Sequence, residues 1–171
     1  MGRAVIRSVD PARDADAVQD LCLRAADYIT LETGAPPPPD YASKLLAEAP
    51  PALPPEDVLA FCAEQEGKLA AVVTCLRNFY QTREWYMGLL LVDPAARGAG
   101  LGARMAGHVF DLARAQGASC IRVAVLDANP RGRRFWQREG FVPERAVPAD
   151  PDGDGHARHV LKLNWEEAPC D

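Results

Sequence analysis

The chain opens with an apolar stretch, AVIRSV at 4–9, that reads as a strand. Asp10 followed by Pro11 is a cap and first-turn signal for a helix. Val18, Leu21, Cys22, Ala25 and Ile29 then recur at helical spacing, which predicts one helix running up to Gly34. The run PPPP at 36–39 ends it, a short helix is expected over 41–48, and PPALPP at 50–55 is a second rigid spacer. From Asp57 the period changes. VLAFCAEQ, the turn Glu66-Gly67-Lys68 and LAAVVTCLRNFY form a predicted hairpin. WYMGLLLV at 85–92 is a third successive strand, apolar on both faces near its end and therefore central.

A glycine-rich loop follows, then a helix with Leu101, Met105, Val109 and Leu112 on one face and Gly117 as its stop. CIRVAVL at 120–126 is the next strand. Joined by a helix, it should run parallel to 85–92 through a right-handed crossover. A helix over 130–139 and closing strands at 141–147 and 157–165 complete the reading. The expected class is α/β: a mixed, mostly antiparallel six- to seven-stranded sheet with a central parallel β-loop-α-β unit.

Composition narrows the class of partner. The 171 residues fit one domain, with 48% hydrophobic and 25% charged residues. No apolar run is long enough to span a bilayer, and MGRAVIRSVD lacks the apolar core of a signal peptide. Arg7 stands where a myristoylation signal needs Ser or Thr. The expectation is a cytoplasmic protein without membrane attachment. A net charge of −5 argues against nucleic acid as a partner. Cys22, Cys62, Cys75 and Cys120 sit in apolar surroundings, Cys170 is the fifth, and no C-x-x-C occurs; they read as reduced core residues.

The loop RGAGLGA, 97–103, carries the candidate chemistry. Gly98, Gly100 and Ala103 loosely satisfy G-x-G-x-x-G/A. A dinucleotide fold would start from the glycine strand and add parallel strands, whereas here four strands precede the glycines. Asp127, after the next strand, is the one point in favour of a ribose contact. A triphosphate loop needs G-K-[ST], and Gly102 is followed by Ala-Arg. A diphosphate cradle remains: the glycines let the backbone turn its N–H groups to one point at a helix N-terminus, with Arg97 as an added cation.

The segment VDPAARGAGLG, 92–102, resembles the acetyl-CoA signature [QR]-x-x-G-x-[GA] of the GNAT N-acetyltransferase superfamily, with Arg97, Gly100 and Gly102 at its defined positions. NPRGRRFWQREGF, 129–141, is similar to that family's N-x-x-A-x-x-[LF]-[YW]-x-x-x-G-F. The resemblance covers about 57–163. It implies a single N-acetyltransferase domain, 1–171: an acceptor-side strand and helices at 1–56, a CoA-binding core at 57–147, and a C-terminal strand and tail at 148–171.

By the same resemblance, acetyl passes directly from acetyl-CoA to an amine without a metal. Arg97, Gly98, Ala99, Gly100, Leu101, Gly102 and Ala103 hold the diphosphate. The backbone of Leu90, Leu91 and Val92 pairs with the pantetheine arm, and an N–H near Leu90–Leu91 meets the oxyanion. An alkyl ammonium, with a pKa of about 10, must lose a proton first. The family's carboxylate position on this strand falls at Tyr86, with Glu84 two residues earlier on the same face. Glu84 is therefore the candidate base, or else a solvated residue of the Gln81–Glu84 turn. Trp136 replaces the tyrosine that often protonates the leaving thiolate. Either the thiolate leaves unprotonated, or Tyr80, Tyr86 or water substitutes. Trp136 would then wall the pantetheine, pack in the core, or both.

Asn129 caps its helix or bonds the pantetheine amide. Arg131, Arg133, Arg134 and Arg138 form a basic patch or a solvated face, with Arg131 or Arg133 best placed for the 3′-phosphate. His108 reads as helix packing, and His156 and His159 fall on opposite faces of a strand. Asp27, Tyr28, Glu32, Tyr80, Glu84 and Tyr86 are the candidate acceptor-side residues. Their acidity suits a small-molecule amine. A peptide acceptor, or a CoA-binding sensor without turnover, are the rival readings. Family habit also implies a homodimer through the C-terminal strands.

Overall fold

The computed structural model describes residues 3–165. The residues after 165, with Cys170 among them, and the Met1-Gly2 start lie outside it. The strands are β1 (Val5–Ser8), β2 (Val58–Gln65), β3 (Lys68–Leu76), β4 (Glu84–Val92), β5 (Cys120–Leu126), β6 (Val142–Val147) and β7 (Arg158–Asn164). The helices are α1 (Pro11–Arg24), α2 (Ala26–Thr33), α3 (Tyr41–Ala47), α4 (Leu101–Ala115) and α5 (Pro130–Arg138).

The seven strands form one sheet in the order β1-β2-β3-β4-β5-β7-β6. Every neighbouring pair is antiparallel except β4 and β5. The expected mixed sheet and its parallel unit are therefore present. The last hairpin enters with β7 inside and β6 at the edge, an order the sequence pattern does not reveal.

Where one long helix was expected, the chain forms two. The break is at Ala25, whose backbone (φ −100°, ψ 30°) leaves the helical region. The apolar stripe crosses the break in phase because Val18, Leu21, Cys22, Ala25 and Ile29 all enter the same core. Asp10 caps α1, its side chain accepting from the amides of Ala12 and Arg13. Gly34 (φ +77°) ends α2, and Gly117 (φ +74°) sits just beyond α4.

The sheet buries both faces. On one, α4 and α5 cover Trp85, Met87, Ile121, Val123 and Leu161, together with Met105, Val109 and Phe141. On the other, α1, α2 and α3 cover Cys62, Val72, Leu89 and Leu91. Each Leu, Val or Met side chain buried this way contributes roughly 1.5–3 kcal/mol. Cys22, Cys62, Cys75 and Cys120 are free and buried, as their apolar surroundings suggested.

One irregularity shapes the functional end. Thr74 faces Leu89 and Cys75 faces Met87, so Gly88 is an extra residue in β4. Side-chain parity flips there. Trp85 and Met87 face α4 and α5, while Leu89 and Leu91 face α1 to α3.

Candidate active site

The pairing of β4 with β5 runs only from Glu84↔Cys120 to Met87↔Val123. Beyond it β4 keeps its bonds to β3, and β5 keeps its bonds to β7. The two parallel strands therefore part, and a cleft of about 820 Å³ opens between them. Its walls are 87–92 of β4, 123–125 of β5, the loop and first turn of α4, one face of α5, and Asp27, Tyr28 and Leu31 of α2.

The free edge of β4 has a defined polarity. The amide of Asp93 donates to Ala70 O of β3 at 2.8 Å. Alternation along the strand then turns the amide of Leu91 toward β3 and those of Leu90 and Val92 toward the cleft. The Arg97 Nε donating to Val92 O at 3.0 Å agrees with this. Of the expected backbone contacts, the amides of Leu90 and Val92 face the gap and that of Leu91 does not, so of the two amides expected to meet the oxyanion only Leu90 is turned to the gap.

At the mouth, Gly98 (φ +81°) and Gly100 (φ +79°) hold left-handed backbone that a side chain would strain. Gly100 caps α4 without a side-chain bond. Among the described residues, the amides from Gly98 to Ala103 have no backbone acceptor. All of that loop except Ala99 lines the cleft. The helix dipole adds positive potential at the same point.

The side chain of Arg97 is not a free cation. Its Nη1 and Nη2 bond both Asp27 oxygens, at 2.6 and 2.9 Å. The Arg97 guanidinium holds the Asp27 carboxyl below its ordinary range. Among the described residues, positive charge with no carboxylate partner comes instead from α5. Arg131, Arg134 and Arg138 line the cleft and Arg133 does not. This corrects the choice of Arg133. The signal was the i, i+3, i+7 spacing, which puts those three on one helix face.

Asn129 both lines the cleft and caps α5, its Oδ1 accepting from Gly132 N at 2.9 Å. Trp136 also has two roles: it lines the cleft and packs edge-on against Phe135 and Phe141, at centroid distances of 4.8 and 5.2 Å.

Glu84 and Tyr86 do not line the cleft. Glu84 sits at the closed end of β4, where Arg122 Nη1 bonds its carboxylate at 2.8 Å. The same guanidinium bonds both Glu144 oxygens, at 2.8 and 3.0 Å. Glu84 is thus neither in the gap nor a loose turn residue. Tyr86 packs beside Phe79 and Tyr80, and burial pushes its phenol up to about 12. His108 packs on Phe61, and His159 bonds Asp127 at 2.8 Å. His156 precedes β7 rather than lying in it. Among the described residues no group of His, Cys, Asp and Glu could hold a metal, and no helix is long and apolar enough to cross a membrane.

Comparisons with known proteins agree on this layout. The family described as "Acetyltransferase (GNAT) family" matches residues 25–141. A segment of 55 residues is 36% identical to mycothiol acetyltransferase of Beutenbergia cavernae; it spans 32% of this chain and only 18% of that protein. An acetyltransferase structure from Thermus thermophilus superposes with a TM-score of 0.74 at 20% identity, covering 96% of this chain and 98% of that one. The ribosomal-protein-S18-alanine N-acetyltransferase of Escherichia coli gives a TM-score of 0.73 at 20% identity, covering 97% and 96%. At such identity the likeness speaks for the fold.

Proposed function

The chain belongs to the GNAT acetyltransferase family, and from that premise we propose that it moves acetyl from acetyl-CoA to the amine of a small molecule in a ternary complex. One observation carries this reading: the run of amides from Gly98 to Ala103 without backbone acceptors, at the mouth of a cleft whose wall is an unpaired strand edge. These residues suit coenzyme A. Amides and a helix N-terminus meet the diphosphate, Arg131, Arg134 and Arg138 supply cations for a further phosphate, and the Leu90 and Val92 backbone offers bonds to amide groups of the arm.

Bound there, the thioester supplies an activated acetyl group. Leu90 and Val92 orient the arm, Trp136 walls it, and the Leu90 amide is the oxyanion donor in this proposal. A donor of that kind contributes about 3–4 kcal/mol elsewhere. The Tyr86 phenol stays protonated at neutral pH, so it can donate a proton but is a poor base. The division into 1–56, 57–147 and 148–171 and a cytoplasmic setting belong to the same proposal.

The test is calorimetry with CoA together with thiol release over a panel of small amines and basic peptides. Binding with turnover of small amines supports the reading, and turnover of peptides alone transfers it to protein acetylation. Trp136 at the family's tyrosine position favours one rival, a sensor. Tight CoA binding with no thiol release from any acceptor would establish that rival. No CoA binding would overturn both.

A further inference from the structure

The strand register gathers a second set of groups on the face of the sheet that carries α2. Tyr86 of β4 lies beside Arg122 of β5 and Lys162 of β7; further toward the cleft end come Ala124 and then Arg158. Tyr86 directly precedes Met87, where the pairing of β4 with β5 stops. A molecule entering the gap from this face therefore passes between Tyr86 and α2. Tyr28 and Leu31 of α2 line the cleft; Glu32, one helical turn beyond Tyr28 on the same face, stands just outside that lining, on the side from which an acceptor enters.

The basic groups that the register puts on this face are tied down. Arg122 is held by Glu84 and Glu144, Lys162 lies 3.9 Å from Glu144, and Arg158 bonds Asp154. Among the described residues no hydrogen bond or ion pair reaches the Glu32 carboxylate. Through space its carboxylate acts on the phenols of Tyr28, Tyr41 and Tyr86, and the charged or titratable groups that act on it are Arg158, His156, Asp154 and Glu48. Burial lifts its carboxyl above the ordinary range; Arg158 and His156 oppose this, and Glu48 and Asp154 add to it. A partly desolvated carboxylate with no cation bonded to it attracts an ammonium and is a stronger base than one pinned to arginine.

We propose that Glu32, not Glu84, receives the acceptor's ammonium and takes its proton. This rests on the acetyl-transfer reading. The Glu32 carboxylate removes one proton from R–NH3+. The freed nitrogen lone pair forms the C–N bond at the thioester carbonyl, the C–S bond breaks, and its electron pair leaves on the CoA sulfur. The nitrogen's second proton goes to that thiolate, and the proton on Glu32 returns to water. The products are the N-acetyl amide, free CoA thiol and one proton.

The experiment compares wild type, Glu32→Gln, Glu32→Asp and Glu84→Gln with pentylamine as acceptor. Expected is a wild-type kcat/KM that falls with slope one at acid pH, with a midpoint above the usual carboxylate range. Glu32→Gln should lose about a hundredfold or more in kcat/KM and lose that limb, leaving only the amine's own titration. Its CoA affinity and thermal midpoint should be unchanged, and Glu32→Asp should restore part of the limb. Persistence of the limb in Glu32→Gln, or its loss in Glu84→Gln instead, overturns the assignment. If wild type does not turn over, pentylamine binding to the CoA-loaded protein decides. A tenfold or greater loss in Glu32→Gln sustains the role of Glu32 while acetyl transfer fails. Equal affinities, or no binding, overturn it.

Discussion

Replacing Gly100 separates electrostatics from shape at the proposed diphosphate site. Gly100 has φ +79° and ψ 4°, and a Cβ built there meets nothing within 4 Å. The obstacle to a side chain is backbone strain alone, roughly 1–2 kcal/mol for an ordinary L residue. Asn and Asp tolerate this conformation best, and both are favoured as N-caps. Gly100→Asn and Gly100→Asp should therefore fold with similar, small losses. Only the aspartate puts a negative charge where the diphosphate is to sit. At about 5 Å and an effective dielectric near 20, two like charges repel by about 3 kcal/mol, a factor of roughly a hundred in affinity. Calorimetry with CoA should show that loss in Gly100→Asp and little in Gly100→Asn, with the gap narrowing as salt rises. Acetylpantetheine, which lacks the diphosphate, should bind all three proteins alike. Equal losses in both variants would reduce the effect to shape, and no loss in either would remove the diphosphate from this loop.

The arginine face of α5 makes a second distinction. Arg134→Ala should weaken CoA more than 3′-dephospho-CoA, by about 1–2 kcal/mol, whereas Arg133→Ala, which lies off the cleft, should alter neither. The third concerns Asp14, a buried acid whose Oδ2 accepts from Arg7 at 2.7 Å and from the Asp10 amide at 2.8 Å. The Arg7 guanidinium holds its carboxyl well below the usual carboxylate range, and the Asp10 and Arg13 bonds help. A folded pKa below the unfolded one gives stability that is present above about pH 4 and lost as pH falls further. Urea titrations should show Asp14→Asn costing about 2–4 kcal/mol at pH 7, a deficit that starts to shrink below about pH 4, keeps most of its size at pH 3 and fades only as the pH falls on toward the depressed folded value, whereas a deficit that stays constant down to pH 2 would remove the ionised pair as its cause.

The elements were legible because local periodicity and glycine punctuation mark them. The spacing of Leu101, Met105 and Val109 and the glycines before it announced α4, and the apolar run ending at Val92 announced a central strand. Three features were not local. The break at Ala25 carries no glycine or proline, and the apolar stripe continues through it, so nothing in the pattern interrupts the helix. Arg97 looked like a spare cation because its partner, Asp27, lies 70 residues earlier. Glu84 looked available because its captor, Arg122, arrives from another strand 38 residues later. Motif spacing reports what a backbone can present. Whether a charged side chain is free depends on distant partners that no short window contains.

Gly88 shows how much one position can decide. A regular β4 would keep its parity, so the leucines at 89 and 91 would face α4 and α5, and their amides would turn toward β5. The extra residue reverses both. Leu89 and Leu91 now fill the core under α1 to α3, and the amides at 90 and 92 lie along the gap. The same bulge adds local twist just where the pairing with β5 ends, so the irregularity that reassigns the amides also falls where the strands part. What opposes a side chain here is contact, not φ, and the first atom met is the Thr74 hydroxyl, which would have to give by a few tenths of an ångström. A Cβ at 88 would stand 3.1 Å from Thr74 Oγ1 on β3, and on its other side the residue faces the cleft. A larger side chain would have to displace the Thr74 hydroxyl or extend into the cleft.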